Sequence, residues 1–196
     1  METEITKKLF TVGDYHRMAR AGILREDDRL ELIDGEVIEM SPIGHRHFVC
    51  VGRMDTLFRR PFGDKVFVSI QGPLRLNEWT EVQPDVVLFK PRSDFYAAKI
   101  PNAADVLLVV EVSDTTLATD QKVKLPKYES AGIAEYWIAD LEHDLLHVYR
   151  HLQGQRYTTI LTLRPGDSVS LLSSPNVEFR VDELLTTDFE TSADAP

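Results

Sequence analysis

The chain lacks most of the features that would assign it quickly to a class. It has one cysteine, Cys50, among 196 residues, so no intrachain disulfide can form and a reducing compartment suits it. No apolar run approaches the ~20 residues that a membrane-crossing helix needs. The opening METEITKKLF has no basic stretch followed by an apolar core, so no signal peptide is expected and a cytoplasmic setting is. GxGxxG, P-loop and GxSxG patterns do not occur, which leaves several familiar enzyme classes without support. Positive charge is also short: 22 Lys and Arg stand against 32 Asp and Glu, a net charge of −10. Such a chain repels nucleic acid at long range, which argues against a general DNA-coating protein. An enzyme acting on DNA remains open to it if a local basic patch or metal ions offset the repulsion.

What is present is ordinary for a globular protein, with 43% hydrophobic and 28% charged residues. The length suits one domain with a single substantial core, expected over residues 1–185. The remaining TTDFETSADAP, residues 186–196, is polar and acidic without periodicity and is expected to be disordered.

Thr11 with Asp14 three residues on resembles a capping box, opening a helix through about Arg20. LELIDGEVIEM predicts a hairpin, because Asp34-Gly35 suits a type I′ turn between two alternating strands. From His45 to Arg60, Val49, Met54, Leu57 and Phe58 fall at helical spacing, with Arg53, Arg59 and Arg60 as a possible phosphate-binding face. Strands are predicted at Lys65–Ile70, Asp85–Phe89 and Val106–Val112. A helix follows, N-capped by Asp120 and ended at Gly132. EYWIAD and LLHVYR read as paired strands, with Tyr136 and Trp137 as core aromatics. Three shorter strands precede a terminal helical turn at Val181–Leu185. Many strands and few, irregularly placed helices predict an α/β or α+β domain on a mixed sheet. The early hairpin argues against a doubly wound parallel fold.

Two carboxylates stand where none is expected. Asp85 directly precedes the apolar run Val86–Phe89, and Glu111 ends the run Val106–Val110. An ionised carboxylate removed from water costs several kcal/mol unless it is paired or binds a cation. If the two strands are neighbours, the acids converge, and a hard divalent cation such as Mg2+ would offset their repulsion. Alone, each acid could equally mark a strand end in contact with water. Asp120, Lys124 and Tyr128, spaced by four, would share one face of a regular helix and bring a lysine to the pair. An exposed Asp120–Lys124 pair would by itself be worth only ~0.3–0.5 kcal/mol. Pro126 disturbs that helix, which is expected to start late or bend near Lys124. His47, at the start of its helix, and Gln71, after a strand, are further polar candidates that structural roles would also explain.

ELIDGE, MSP with a following histidine, QPDVVL, VVEVSD, the spaced Asp120, Lys124 and Tyr128, and AGIAEYWIAD together resemble the Uma2 family, also called DUF820. The likeness runs from about Thr11 to Leu185. It implies a restriction-endonuclease-like core of the PD-(D/E)XK nuclease superfamily: a mixed sheet flanked by helices, here with an N-terminal hairpin and extra C-terminal strands. Asp85 then matches the aspartate of the PD motif and Glu111 the second acid. The wider superfamily places a lysine two positions after that acid, where this chain has Ser113. The family pattern moves the lysine to the next helix, which matches Lys124 and leaves Lys122 as the poorer substitute. Glu31, in ELIDGE, matches an early acidic position able to complete a metal shell or act as a base.

The reading from sequence is therefore a Mg2+- or Mn2+-dependent DNA endonuclease. Asp85, Glu111, Lys124 and Glu31 are its catalytic set, the three acids its metal ligands, and Asp120, His47, Gln71 and Tyr128 its support. A homodimer would suit cleavage of both strands. The alternative is a catalytically retired nuclease scaffold acting in nucleic-acid or protein binding, which the net charge and Ser113 favour.

Overall fold

The computed structural model of the chain describes residues 6–25 and 27–187; the acidic tail expected to be disordered lies outside them from residue 188 onward. Helix α1 (Val12–Arg20) opens on the expected capping box, Asp14 N donating to Thr11 Oγ1 and Thr11 N to Asp14 Oδ2. The hairpin follows as β1 (Leu30–Ile33) and β2 (Glu36–Glu39). Asp34 and Gly35 have φ of 51° and 81°, the left-handed pair that a type I′ turn requires. Helix α2 (His45–Phe62) buries Cys50, Met54, Phe58 and Phe62 at four-residue spacing, with Val51 beside them. Val49 and Leu57, expected in that stripe, are only half-buried.

Strands β3 (Phe67–Ile70), β4 (Leu74–Arg75), β5 (Glu81–Val82), β6 (Val86–Phe89) and β7 (Val106–Ser113) come next. A helical crossover, α3 (Leu117–Thr119), a π turn (Asp120–Lys124) and α4 (Leu125–Ala131), leads to β8 (Glu135–Asp140) and β9 (Leu145–Gln153). The chain ends in β10 (Arg156–Leu163), β11 (Ser168–Leu171), β12 (Ser174–Arg180) and α5 (Val181–Leu185).

The main sheet has six strands in the order β10-β9-β8-β7-β6-β3. Only β7 and β8 run parallel, because only they are joined by a helical crossover; the other neighbours are antiparallel. The mixed sheet expected from sequence is therefore present. One face packs on α2 and α5 through Met54, Phe58, Trp137, Phe179 and Leu184. The other carries Val87, Val109, Tyr136 and Ile138 and packs on Tyr128 of α4 and on Ile33, Leu74 and Val82. Those last three belong to a smaller sheet, β2-β1-β5-β4. Burial on both faces explains why β6 and the centre of β7 are apolar at every position rather than alternating.

The turn at Gly35 is a sensitive point, since a Cβ there would lie 2.8 Å from Leu9 Cβ and 3.1 Å from Phe10 O. Gly35→Ala is expected to lower stability by about 1–3 kcal/mol, from the left-handed backbone and this crowding together. Urea unfolding at unchanged m-value measures it.

Candidate active site

The strand ladder explains Asp85. Val86 pairs with Val110, and β6 goes no further, so β7 has no β6 partner beside Glu111 and Val112. The Asp85 side chain fills that gap, its Oδ2 accepting from Val112 N at 2.9 Å. Its Oδ1 receives His47 Nε2 at 2.9 Å and Gln71 Nε2 at 3.2 Å. Gln71, at φ 50°, also donates its backbone N–H to Asp85 O. Left-handed backbone at a non-glycine residue costs about 1–3 kcal/mol and persists where surrounding bonds fix it. Burial alone would raise the Asp85 pKa. The His47 hydrogen bond and charge, the Val112 N–H and the Gln71 amide outweigh it and hold the carboxyl below its usual range.

Continuing the register places Asp85 opposite Glu111, on the face that carries Val87 and Val109. Glu111 Oε1 accepts from Tyr128 Oη at 2.6 Å and from Lys124 Nζ at 3.1 Å. The same ammonium lies 3.1 Å from Glu31 Oε1, which also accepts from Gln83 N at 2.8 Å. Lys124 is 7% exposed, Glu31 and Glu111 3% each, so a single cation is buried between two acids. The ammonium's pKa is raised: burial opposes its charge, but Glu111, Glu31 and Asp120 together more than offset that. Burial, reinforced by Asp120, Asp85 and Glu31, pushes the Glu111 carboxyl well above the usual range despite Lys124. One ammonium does not neutralise that many carboxylates.

The helix that delivers Lys124 differs from the expected one. It begins before Asp120, which therefore does not cap it, and Leu125 N donates to Asp120 O five residues back. Pro126 gives the physical reason. In a regular α-helix its ring would clash with the carbonyl four residues earlier, and it has no N–H to donate. Widening the preceding turn removes the conflict, and π turns often accompany functional sites. Asp120, Lys124 and Tyr128 all turn toward the sheet, although through this wide turn rather than one regular face. Asp120 Oδ2 accepts from Ser113 Oγ at 2.6 Å and Thr116 Oγ1 at 2.8 Å. Burial raises its pKa, against the opposing effect of Lys124 and these hydroxyls.

These groups border a cavity of about 630 Å³, whose wall includes Glu31, His47, Asp85, Glu111, Asp120 and Lys124. Gln71 and Tyr128 brace Asp85 and Glu111 by hydrogen bonds without lining it. Arg59 bonds to Asp55 and to Val68 O, and none of Arg53, Arg59 and Arg60 lines the cavity, so the expected basic face of α2 is not part of it. Lys122 is exposed, which leaves Lys124 as the lysine of the site. Sequence reading missed Arg29, Thr116 and the Gln83 amide; only SDTT directly after an apolar strand hinted at Thr116.

The family model described as "Putative restriction endonuclease", Uma2, matches residues 12–183. The chain belongs to the Uma2 family. A similar solved structure is described as a "putative nuclease belonging to DUF820 from Anabaena variabilis ATCC 29413". It matches with a TM-score of 0.67 and 14% identity over 90% of this chain and 98% of that one. At that identity the likeness establishes a shared fold. No curated protein matches the chain. The Uma2 description indicates a nuclease, and the fold is that of a DUF820 protein.

Lys124→Met would strand two buried acids without their cation and is expected to cost about 3–5 kcal/mol. The raised Glu111 carboxyl also gives stability a pH signature. Between the ordinary glutamate range and its raised value, the folded state holds a proton that the unfolded state has lost. Stability therefore falls as pH rises through that window. Glu111→Gln should flatten this part of the profile, as read by denaturant midpoints across pH.

Proposed function

We propose that this Uma2 protein is an endonuclease that hydrolyses phosphodiester bonds of DNA with the help of Mg2+ or Mn2+. The observation that supports it best is the convergence of three buried carboxylates and one buried ammonium at an open cavity. Buried titratable groups with shifted pKa values that converge at a cavity mark a candidate functional site.

Among the described residues no group of three or more His, Cys, Asp or Glu is set as a metal cage. Mg2+ does not require one, since it is commonly bound by one or two carboxylates, waters and substrate phosphates. The hard oxygen donors of Asp85 and Glu111 suit it, with Glu31 as the further carboxylate. Such an ion, when bound, lowers the pKa of its water and neutralises charge on the phosphate.

The chain's own groups supply the rest. Lys124 stays protonated and so acts as a cation and hydrogen-bond donor, placed to stabilise negative charge growing on the phosphoryl oxygens. Glu31 holds that ammonium from the small sheet, itself fixed by the Gln83 N–H. Tyr128 holds Glu111; His47, Gln71 and the Val112 N–H hold Asp85. Asp120, tied to Ser113 and Thr116, adds negative charge that keeps Lys124 protonated. The reading includes a cytoplasmic homodimer, to which the buried free thiol of Cys50 is suited by compartment.

Supercoiled plasmid at low salt provides the test. Cutting should require Mg2+ or Mn2+ and stop with EDTA. Glu111→Gln should abolish it, and Lys124→Ala should slow it about 10²–10³-fold. Undiminished cutting by Glu111→Gln would contradict the assignment. A wild type that neither cuts nor binds Mn2+ in calorimetry would favour a retired scaffold.

A further inference from the structure

The proposed active site has little with which to hold a polyanion. Eight carboxylates line its cavity against two cations, Arg29 and Lys124, and Lys124 is already occupied by Glu31 and Glu111. A second cavity, of about 650 Å³, has the opposite character. It lies between α1 and the β4–β5 end of the small sheet, and its lining includes Arg17, Arg20, Arg75 and Lys99. These face two acids, Glu78 and Glu81. Glu81 is buried, 6% exposed, and its Oε1 is paired with His16 Nε2 at 2.7 Å. Arg17 is paired with Asp14 and Lys99 with Asp105 at 3.3 Å, which leaves Arg20 and Arg75 as the cations of this lining without an acid partner among the described residues. The Arg75 side chain spends only its Nε, on Asn77 O, and the Arg20 side chain makes no hydrogen bond or ion pair among the described residues.

The two cavities share no residue and flank the same small sheet, β1 and β2 bordering the first, β4 and β5 the second. Their outer strands, β2 and β4, stand three spacings of about 4.8 Å apart, roughly 15 Å, or about four to five base-pair steps of a duplex. Resting on the nuclease reading, we propose that the Arg20–Arg75 concavity is the docking face for the DNA backbone. There it neutralises phosphates that the acidic catalytic cavity repels. The chain thus separates grip from chemistry: phosphate contacts position the strand, and the cavity beyond the sheet acts on it.

The test is anisotropy of a labelled 30-base-pair DNA duplex in EDTA across a salt series, with the full chain. Arg20→Ala/Arg75→Ala should raise Kd about tenfold and reduce the log Kd–log salt slope by about 1.8, at ~0.9 per lost phosphate contact. Arg20→Glu/Arg75→Glu should weaken binding further, and Arg60→Ala on α2 should change nothing. Thermal melting checks that each variant is folded. Unchanged binding by the double variants, an equal effect of Arg60→Ala, or no DNA binding by the wild type would overturn the docking face. An RNA duplex run alongside should show a similar dependence, because phosphate charge is what is read; dependence for RNA alone would overturn the DNA assignment. Hydrolysis of bis(p-nitrophenyl) phosphate with Mn2+ is followed in parallel and should be unaffected by Arg20 and Arg75. Its absence in the wild type would count against the nuclease reading, whereas its presence beside unchanged DNA binding counts against the docking face alone.

Discussion

One buried ammonium sets the terms for the rest of the site. Lys124 lies between Glu31 and Glu111, each 3.1 Å away, with all three almost wholly out of water. Removing such charges from solvent costs several kcal/mol apiece, and their attraction offsets this only if every remaining lone pair finds a partner. The surroundings meet that condition for one oxygen of each acid. Tyr128 and the Gln83 N–H donate to Oε1 of Glu111 and of Glu31, and Ser113 and Thr116 donate to Asp120 Oδ2. Four separate pieces of chain are needed: β1, the residue after β5, β7 and the crossover helix. The active-site candidate is thus also the junction between the six-stranded and the four-stranded sheet.

The geometry that permits this is a set of small irregularities in a regular frame. Strand β6 begins only at Val86, and the Asp85 side chain before it takes over the hydrogen bonding to β7. Gln71 adopts left-handed backbone and supports that carboxylate twice, through its own amide and through its backbone N–H to Asp85 O. Pro126 forces a wide turn where Lys124 must reach inward. Each departure carries a local cost, and each sits within reach of the same cavity.

The sequence made some of this legible because the relevant signals are local. A capping box and an Asp-Gly turn depend on three or four neighbouring residues, and both form as read. Asp85 and Glu111 stood out because carboxylates beside unbroken apolar runs conflict with burial, a contradiction visible without coordinates. The π turn was not legible: Pro126 announced a disturbance, but whether the chain bends, starts late or widens is decided by packing on the sheet. Asp120 was misread as a cap for the same reason. Asp is a common N-cap, and only the position of Ser113 across the strand reveals its real partner. The Gln83 N–H that holds Glu31 lies 52 residues away in sequence and leaves no trace in side-chain pattern.

The central claim is that Asp85 and Glu111 form a cation site beside the buried lysine. Anomalous scattering from crystals soaked in Mn2+ tests it most directly. The account predicts one strong peak bound by carboxylate oxygens of Asp85 and Glu111, with Lys124 still within reach of Glu31. A clean map at this position from well-soaked crystals, or an ion bound only elsewhere, would contradict it.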